Sequence, residues 1–251
     1  MLDVSVEYEI IGDDMQAVIF KLKNGERIRA EAGAMMLMDA SIRMETTTGG
    51  GIMQGLKRVL TRESFFIPHF ECTGPEGEVG FSGPFPGKIV ALDVGGGRSI
   101  LCQKDSYLCS TDRVDVSIGF TKKLGAGFFG GEGFILQKLE GEGQVFVHAG
   151  GTVIERVLQA GEELRVDTGC LVAFDDSVQY DIKFIGGVRN VLFGGEGLFF
   201  ALLRGPGKVL IQTLPFSRLA DRVISASRLA GGGGRGEVGG LRSVFGGDKG
   251  F

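Results

Sequence analysis

Four cysteines and two histidines are the side chains of this 251-residue sequence best suited to hold a metal or to pair as nucleophile and base: Cys72, Cys102, Cys109, Cys170, His69 and His148. Zinc usually takes four such ligands in close pairs, and here no two cysteines form a CxxC. No metal site, cofactor or catalytic set is therefore expected. The thiols read as reduced, several of them core side chains, because free cysteine behaves as a small buried hydrophobe.

Two other patterns invite a chemical reading. Gly125-Ala126-Gly127-Phe128-Phe129-Gly130 spells GxGxxG, but that fingerprint binds a pyrophosphate only between a strand and a helix amino end. Here Gly131-Glu132-Gly133 and a further strand follow, so the match is accidental. Glu63, Glu132 and Glu196 stand at three related turns. Gathered around an axis they would bind a cation or pair with basic groups; the preferred reading is that each accepts local backbone hydrogen bonds and holds its turn. Basic residues precede each acid: Lys57, Arg58 and Arg62, then Lys122 and Lys123, then Arg189. A ring of such loops would face an anionic lipid or phosphate.

The elements that must position these residues come from an internal repeat. Shifting Gly87–His148 by 64 onto Gly151–Gln212 gives 15 identities in 62 positions, among them Gly97/Gly161, Asp112/Asp176, Val114/Val178 and Gly141/Gly205. A more diverged copy lies upstream, with Gly25 on Gly97, Ile28 on Ile100 and Ile42 on Val114. Three units are expected, at about 18–83, 87–148 and 151–212, in one β domain over 1–214. In that alignment His148 falls on Ser82 and Gln212, which suits a hydrogen-bonding or solvent-facing strand residue; His69 falls on Lys138 and Leu202.

Each unit reads as strands. Val178 to Phe184 alternates apolar and polar residues, the period of a half-buried strand, and Val114 to Phe120 nearly does so. Val153 to Leu158, Leu171 to Phe174 and Val209 to Ile211 are β-rich runs between turn residues. Gly141-Glu142-Gly143 and Gly205-Pro206-Gly207 read as hairpin turns between paired strands, which uses part of the 44 glycines. The fold class is all-β. Helical spacing adds a short helix near 52–60 and a C-terminal helix near 215–230, opened by Pro215 and stopped by Gly231. Residues 231–251 read as a glycine-rich flexible tail.

The strings Phe129-Gly130-Gly131-Glu132-Gly133-Phe134, Phe193-Gly194-Gly195-Glu196-Gly197-Leu198, Asp167-Thr168-Gly169 and Pro86-Gly87-Lys88-Ile89-Val90-Ala91-Leu92 resemble a widespread bacterial family. That family is related to the fungal altered-inheritance-of-mitochondria (mitochondrial biogenesis) protein, and the likeness spans about residues 2–215. It implies a fold like that of the tryptophan RNA-binding attenuation protein, with tandem β-sandwich units around a pseudo-threefold axis. The family often has His after Asp-Thr-Gly, where this chain has Cys170, so no role resting on that His carries over. Mitochondrial relatives are linked to inner-membrane organisation, and bacterial ones have no agreed activity.

Twenty-seven basic against 31 acidic residues give a net charge of −4, the wrong sign for a chain held to nucleic acid mainly by phosphates. No Trp and three Tyr leave few platforms on which bases would stack, so RNA binding rests on fold analogy alone. The acidic start, with Asp3, Glu7 and Glu9 and no basic residue before Lys21, matches neither a secretory signal nor a transit peptide, and a cytoplasmic protein is expected. The leading expectation is a non-enzymatic, self-associating β-repeat binding or scaffold protein, a homo-oligomer whose C-terminal helix docks on its own core or on a neighbouring copy. The alternative is peripheral contact with an anionic membrane or ligand through the basic loops.

Overall fold

The structure, a computed structural model, describes residues 6–45, 67–122, 133–185 and 198–231. The expected helix near 52–60, the three turn glutamates, the GxGxxG string, the tail and the basic loop residues other than Lys122 lie outside the described residues. The chain divides into two units, Met1–Pro215 and Phe216–Phe251.

The first unit is built of strands. After β1 (Glu7–Ile11) come β2 (Ala17–Lys23), β3 (Arg27–Ala30), β4 (Met35–Met38), β5 (Ile42–Glu45), β6 (His69–Cys72) and β7 (Glu76–Ser82). Next are β8 (Gly87–Val94), β9 (Ile100–Gln103), β10 (Tyr107–Thr111), β11 (Val114–Lys122), β12 (Phe134–Gly141) and β13 (Gly143–Gly150). The last are β14 (Val153–Leu158), β15 (Glu163–Asp167), β16 (Leu171–Asp175), β17 (Gln179–Ile185), β18 (Leu198–Arg204) and β19 (Gly207–Gln212).

All these pairings are antiparallel, and they recur every six strands. β7 pairs with β2 and β4, and β6 with β3 and β5. β13 pairs likewise with β8 and β10, and β12 with β9 and β11. β19 pairs with β14 and β16, and β18 with β15 and β17. Two more pairings, β3 with β10 and β9 with β16, join consecutive groups. Four sheets result, ordered β1-β2-β7-β4, then β5-β6-β3-β10-β13-β8, then β11-β12-β9-β16-β19-β14, and finally β15-β18-β17.

Three apolar cores fill the spaces between successive sheets. Phe20, Phe70, Phe81 and Phe146 dominate the first; Ile100, Val145, Val147 and Leu210 belong to the second; Phe134, Phe174, Ile182 and Leu203 belong to the third. The middle sheets are covered on both faces. Successive strand residues point to opposite faces, so Phe146 of β13 enters the first core while Val145 and Val147 enter the second. In β9, Ile100 and Cys102 face one core and Leu101 the next. Where one face meets solvent the alternation shows in the sequence: Val178 and Ile182 are buried while Gln179, Asp181 and Lys183 are exposed.

The expected hairpins at the two Gly-x-Gly motifs are corrected. β12 and β13 belong to different sheets, as do β18 and β19, so Gly141-Glu142-Gly143 and Gly205-Pro206-Gly207 are corners that carry the chain from one sheet to the next. Glycine is needed there for room as well as for conformation. Gly141 has φ +119°, and a Cβ on it would strike the Arg113 carbonyl oxygen; a Cβ on Gly143 would strike the Thr111 hydroxyl.

The second unit contributes helix α1 (Phe216–Gly231), on which Phe216, Val223 and Ile224 are exposed. Among the described residues no helix is long and apolar enough to cross a membrane.

Candidate functional site: an open sheet edge and two charged junctions

The cysteines are dispersed. Cys72, Cys102 and Cys109 are buried and Cys170 is half-buried, and none is joined in a disulfide. Burial pushes the Cys102 and Cys109 thiols far up, which disfavours the thiolate that nucleophilic chemistry and metal binding require. Cys170 ends a 3-10 turn, Thr168–Cys170, in which the Asp167 carboxylate accepts a hydrogen bond from the Gly169 N–H at 2.9 Å. Among the described residues no three His, Cys, Asp or Glu side chains come together as metal ligands.

The histidines lie in different settings. His148, on β13, is 3% exposed rather than solvent-facing. Its ring stands edge-on to Phe85 at 4.7 Å and lies against Gly83 and Gly87, where a Cβ would collide with it. Among the described residues Nδ1 has no hydrogen-bond partner, and burial lowers the imidazole pKa against a hydrogen bond to the Phe85 backbone that raises it. His69, on β6, is half-buried and brings Nδ1 to 3.4 Å from Asp112 Oδ1. Burial lowers its pKa first and the Arg29 charge second, and Asp112 only opposes them. The neutral ring is thus the favoured form.

Asp112 organises the junction between β3 and β10. Arg29 Nε lies 3.4 Å from Asp112 Oδ1, and Arg29 Nη1 donates to the Val114 carbonyl at 3.1 Å and to Asp115 at 3.3 Å. The junction between β9 and β16 carries a similar group. Arg98 donates to Asp175 at 2.8 Å, Ser99 donates to Asp176 at 2.8 Å, and Lys138 lies 3.5 Å from Asp176. Half-exposed pairs of this kind are each worth less than about 1 kcal/mol. They tie neighbouring strands together at the two junctions.

Among the described residues the carboxyl with the most perturbed titration is Glu31, between β3 and β4. Burial raises it to about 7, against Lys104, which lowers it. Such a group titrates in the physiological range and marks a position where buried charge is costly.

The most exposed apolar strand is β4. Met35, Met36, Leu37 and Met38 are 36–47% exposed. β10 and β16 hold the same place in the pairing scheme but lie inside six-stranded sheets. Every residue of β10 is buried, and so is every residue of β16 except Asp175. β4 ends the first sheet, and among the described residues no second strand pairs with it. An exposed edge of this composition leaves backbone groups and apolar side chains uncovered.

Sequence reasoning did not single out Met35–Met38, Arg29 or Glu31. The signal for β4 was present: an unbroken apolar run of strand length, 72 positions before a buried one. Asp112 and Asp176 did appear among the repeat identities, although not as junction residues.

The family described as mitochondrial biogenesis AIM24 matches residues 8–214 of the chain. An uncharacterised protein of Streptococcus pyogenes serotype M6 is 24% identical over 227 residues, 87% of this chain and 87% of that protein. The X-ray crystal structure of a Streptococcus pyogenes protein superposes with a TM-score of 0.74 at 21% identity, over 88% of this chain and all of that one. At that identity the likeness is one of fold.

Proposed function

The chain belongs to the mitochondrial biogenesis AIM24 family, and we propose that it is a self-associating β-repeat scaffold and not a catalyst. The arrangement proposed is three six-stranded sandwich units, at about 18–83, 87–148 and 151–212, turned about a common axis in the manner of the tryptophan RNA-binding attenuation protein. Its support is the recurrence of one pairing scheme in three consecutive groups of strands.

The observation that carries the scaffold reading is the exposure of β4 where β10 and β16 are buried. Four apolar side chains at an open edge are costly to leave in water, at about 25 cal/mol per Å², and covering them favours association. Sedimentation equilibrium of the full chain at micromolar concentration tests the reading. A mass of several chains is expected; a single-chain mass throughout overturns it.

A further inference from the structure

We propose that the partner of β4 is β15 of a second copy of this chain, added antiparallel in the register Leu37–Val166, Met38–Arg165 and Asp39–Leu164. The proposal rests on the scaffold reading and names the surface that performs it.

The register follows from the two junctions the chain makes within itself. Across the first, Cys109 faces Ala30, Ser110 faces Arg29 and Thr111 faces Ile28. Across the second, Ala173 faces Cys102, Phe174 faces Leu101 and Asp175 faces Ile100. The first partner moves by 64 from Cys109 to Ala173, and the second by 72 from Ala30 to Cys102. Carrying Cys109 back by 72 gives Leu37, and carrying Cys102 forward by 64 gives Val166.

A backbone irregularity anchors that equivalence independently of side-chain identity. β10 is bulged between Tyr107 and Cys109 where it pairs with β13. β16 is bulged between Leu171 and Ala173 against β19, and β4 between Met35 and Leu37 against β7. Bulges set local register, so Leu37, Cys109 and Ala173 hold one position in three strands. On the other side, Cys102 faces Gln137 and Val166 faces Ala201, a pair displaced by 64.

β4 thus has the acceptor half of a junction and β15 the inserting half. Within one chain they end the first and fourth sheets and do not pair. A second copy supplies both complements at once, head to tail, and such a heterologous contact leads to a closed ring or an open filament. Main-chain hydrogen bonds would supply the attachment, as in other strand additions. Met38 and Arg165 are exposed, so both can be altered without entering a core.

The test starts from the Cys170→Ser chain, which removes the half-buried thiol. Met38→Cys and Arg165→Cys are placed in separate chains, mixed and oxidised. The mixture is expected to give a disulfide-linked dimer at several-fold the yield of either protein alone. Met38→Cys mixed with Glu163→Cys, two residues out of register, is expected to give several-fold less than the matched pair. As a second arm, Met38→Lys sets a cation opposite Arg165 and is expected to yield single chains. Adding Arg165→Glu to that chain restores assembly, with circular dichroism confirming the fold in each case. Oligomers that cross-link without preference for the matched pair, or that ignore the charge swap, overturn this proposal and leave self-association standing. A monomeric parent chain overturns both.

Discussion

Phe146 stands edge-on to Phe20, ring centroids 4.9 Å apart and planes at 88°, although the two lie in different sheets and are far apart in sequence. Phe20 and Phe81 meet at 5.9 Å, and Phe81 and Phe70 at 5.0 Å, so one aromatic chain links the first sheet to the second. Edge-to-face pairs add about 0.5–1.5 kcal/mol to their burial.

Phe146→Ala is therefore expected to destabilise the protein by about 3–5 kcal/mol, measured by urea denaturation. The loss should exceed that of Phe216→Ala, whose side chain is exposed. Equal losses would mean that the Phe146 contact does not join the sheets.

Thiol accessibility gives a second check. With Cys72, Cys102 and Cys109 buried and Cys170 half-buried, a disulfide reagent added to the native protein should modify one cysteine quickly and three only on unfolding. Cys170→Ser should abolish the fast phase. Persistence of that phase would show that one of the buried thiols is open to solvent.

The titration of Glu31 predicts a weakness on the alkaline side. Its folded value of about 7 lies above that of an ordinary carboxyl, so between about pH 4.5 and 7 the folded state keeps a proton that the unfolded chain releases. Stability therefore falls as pH rises through that window. Glu31→Gln, always neutral, should flatten the dependence and gain about 1 kcal/mol at pH 8, solvent screening moderating the effect. An unchanged pH profile in thermal unfolding would contradict this.

His148 predicts a weakness on the acid side. Burial holds its imidazole below the usual histidine range, so the unfolded chain takes up a proton that the folded one refuses. Stability is full above that range and lost as pH falls through it. His148→Gln, the residue type at Gln212, should reduce the loss on acidification between pH 7 and 5. His69, shifted in the same direction, keeps part of it. A profile as steep as that of the parent chain would assign the dependence elsewhere.

What the sequence disclosed follows local geometry. The alternation from Val178 to Phe184 marks β17, and the β-rich run at 153–158 marks β14, because period and β-branching act within a few residues. The helix after Pro215 was equally visible. The Gly-x-Gly corners were not, since a glycine pair marks a turn but not which sheet the chain enters next. His148 was legible only in part: its polar counterparts Ser82 and Gln212 suit the hydrogen bond it makes to the Phe85 backbone, but its burial does not show, because Gly83, Phe85 and Gly87 wall the position and only tertiary packing brings them together. The Asp112 junction and the exposure of β4 likewise depend on strand order across sheets, which short-range pattern does not encode.

In the proposed assembly the open β4 edge joins copies of the chain. Light scattering of the parent protein beside Met38→Lys, at equal micromolar concentration, tests it most directly. The parent should scatter as an assembly of several chains and the variant as a single folded chain. A parent protein with the mass of one chain, or a variant with the mass of the parent, would contradict it.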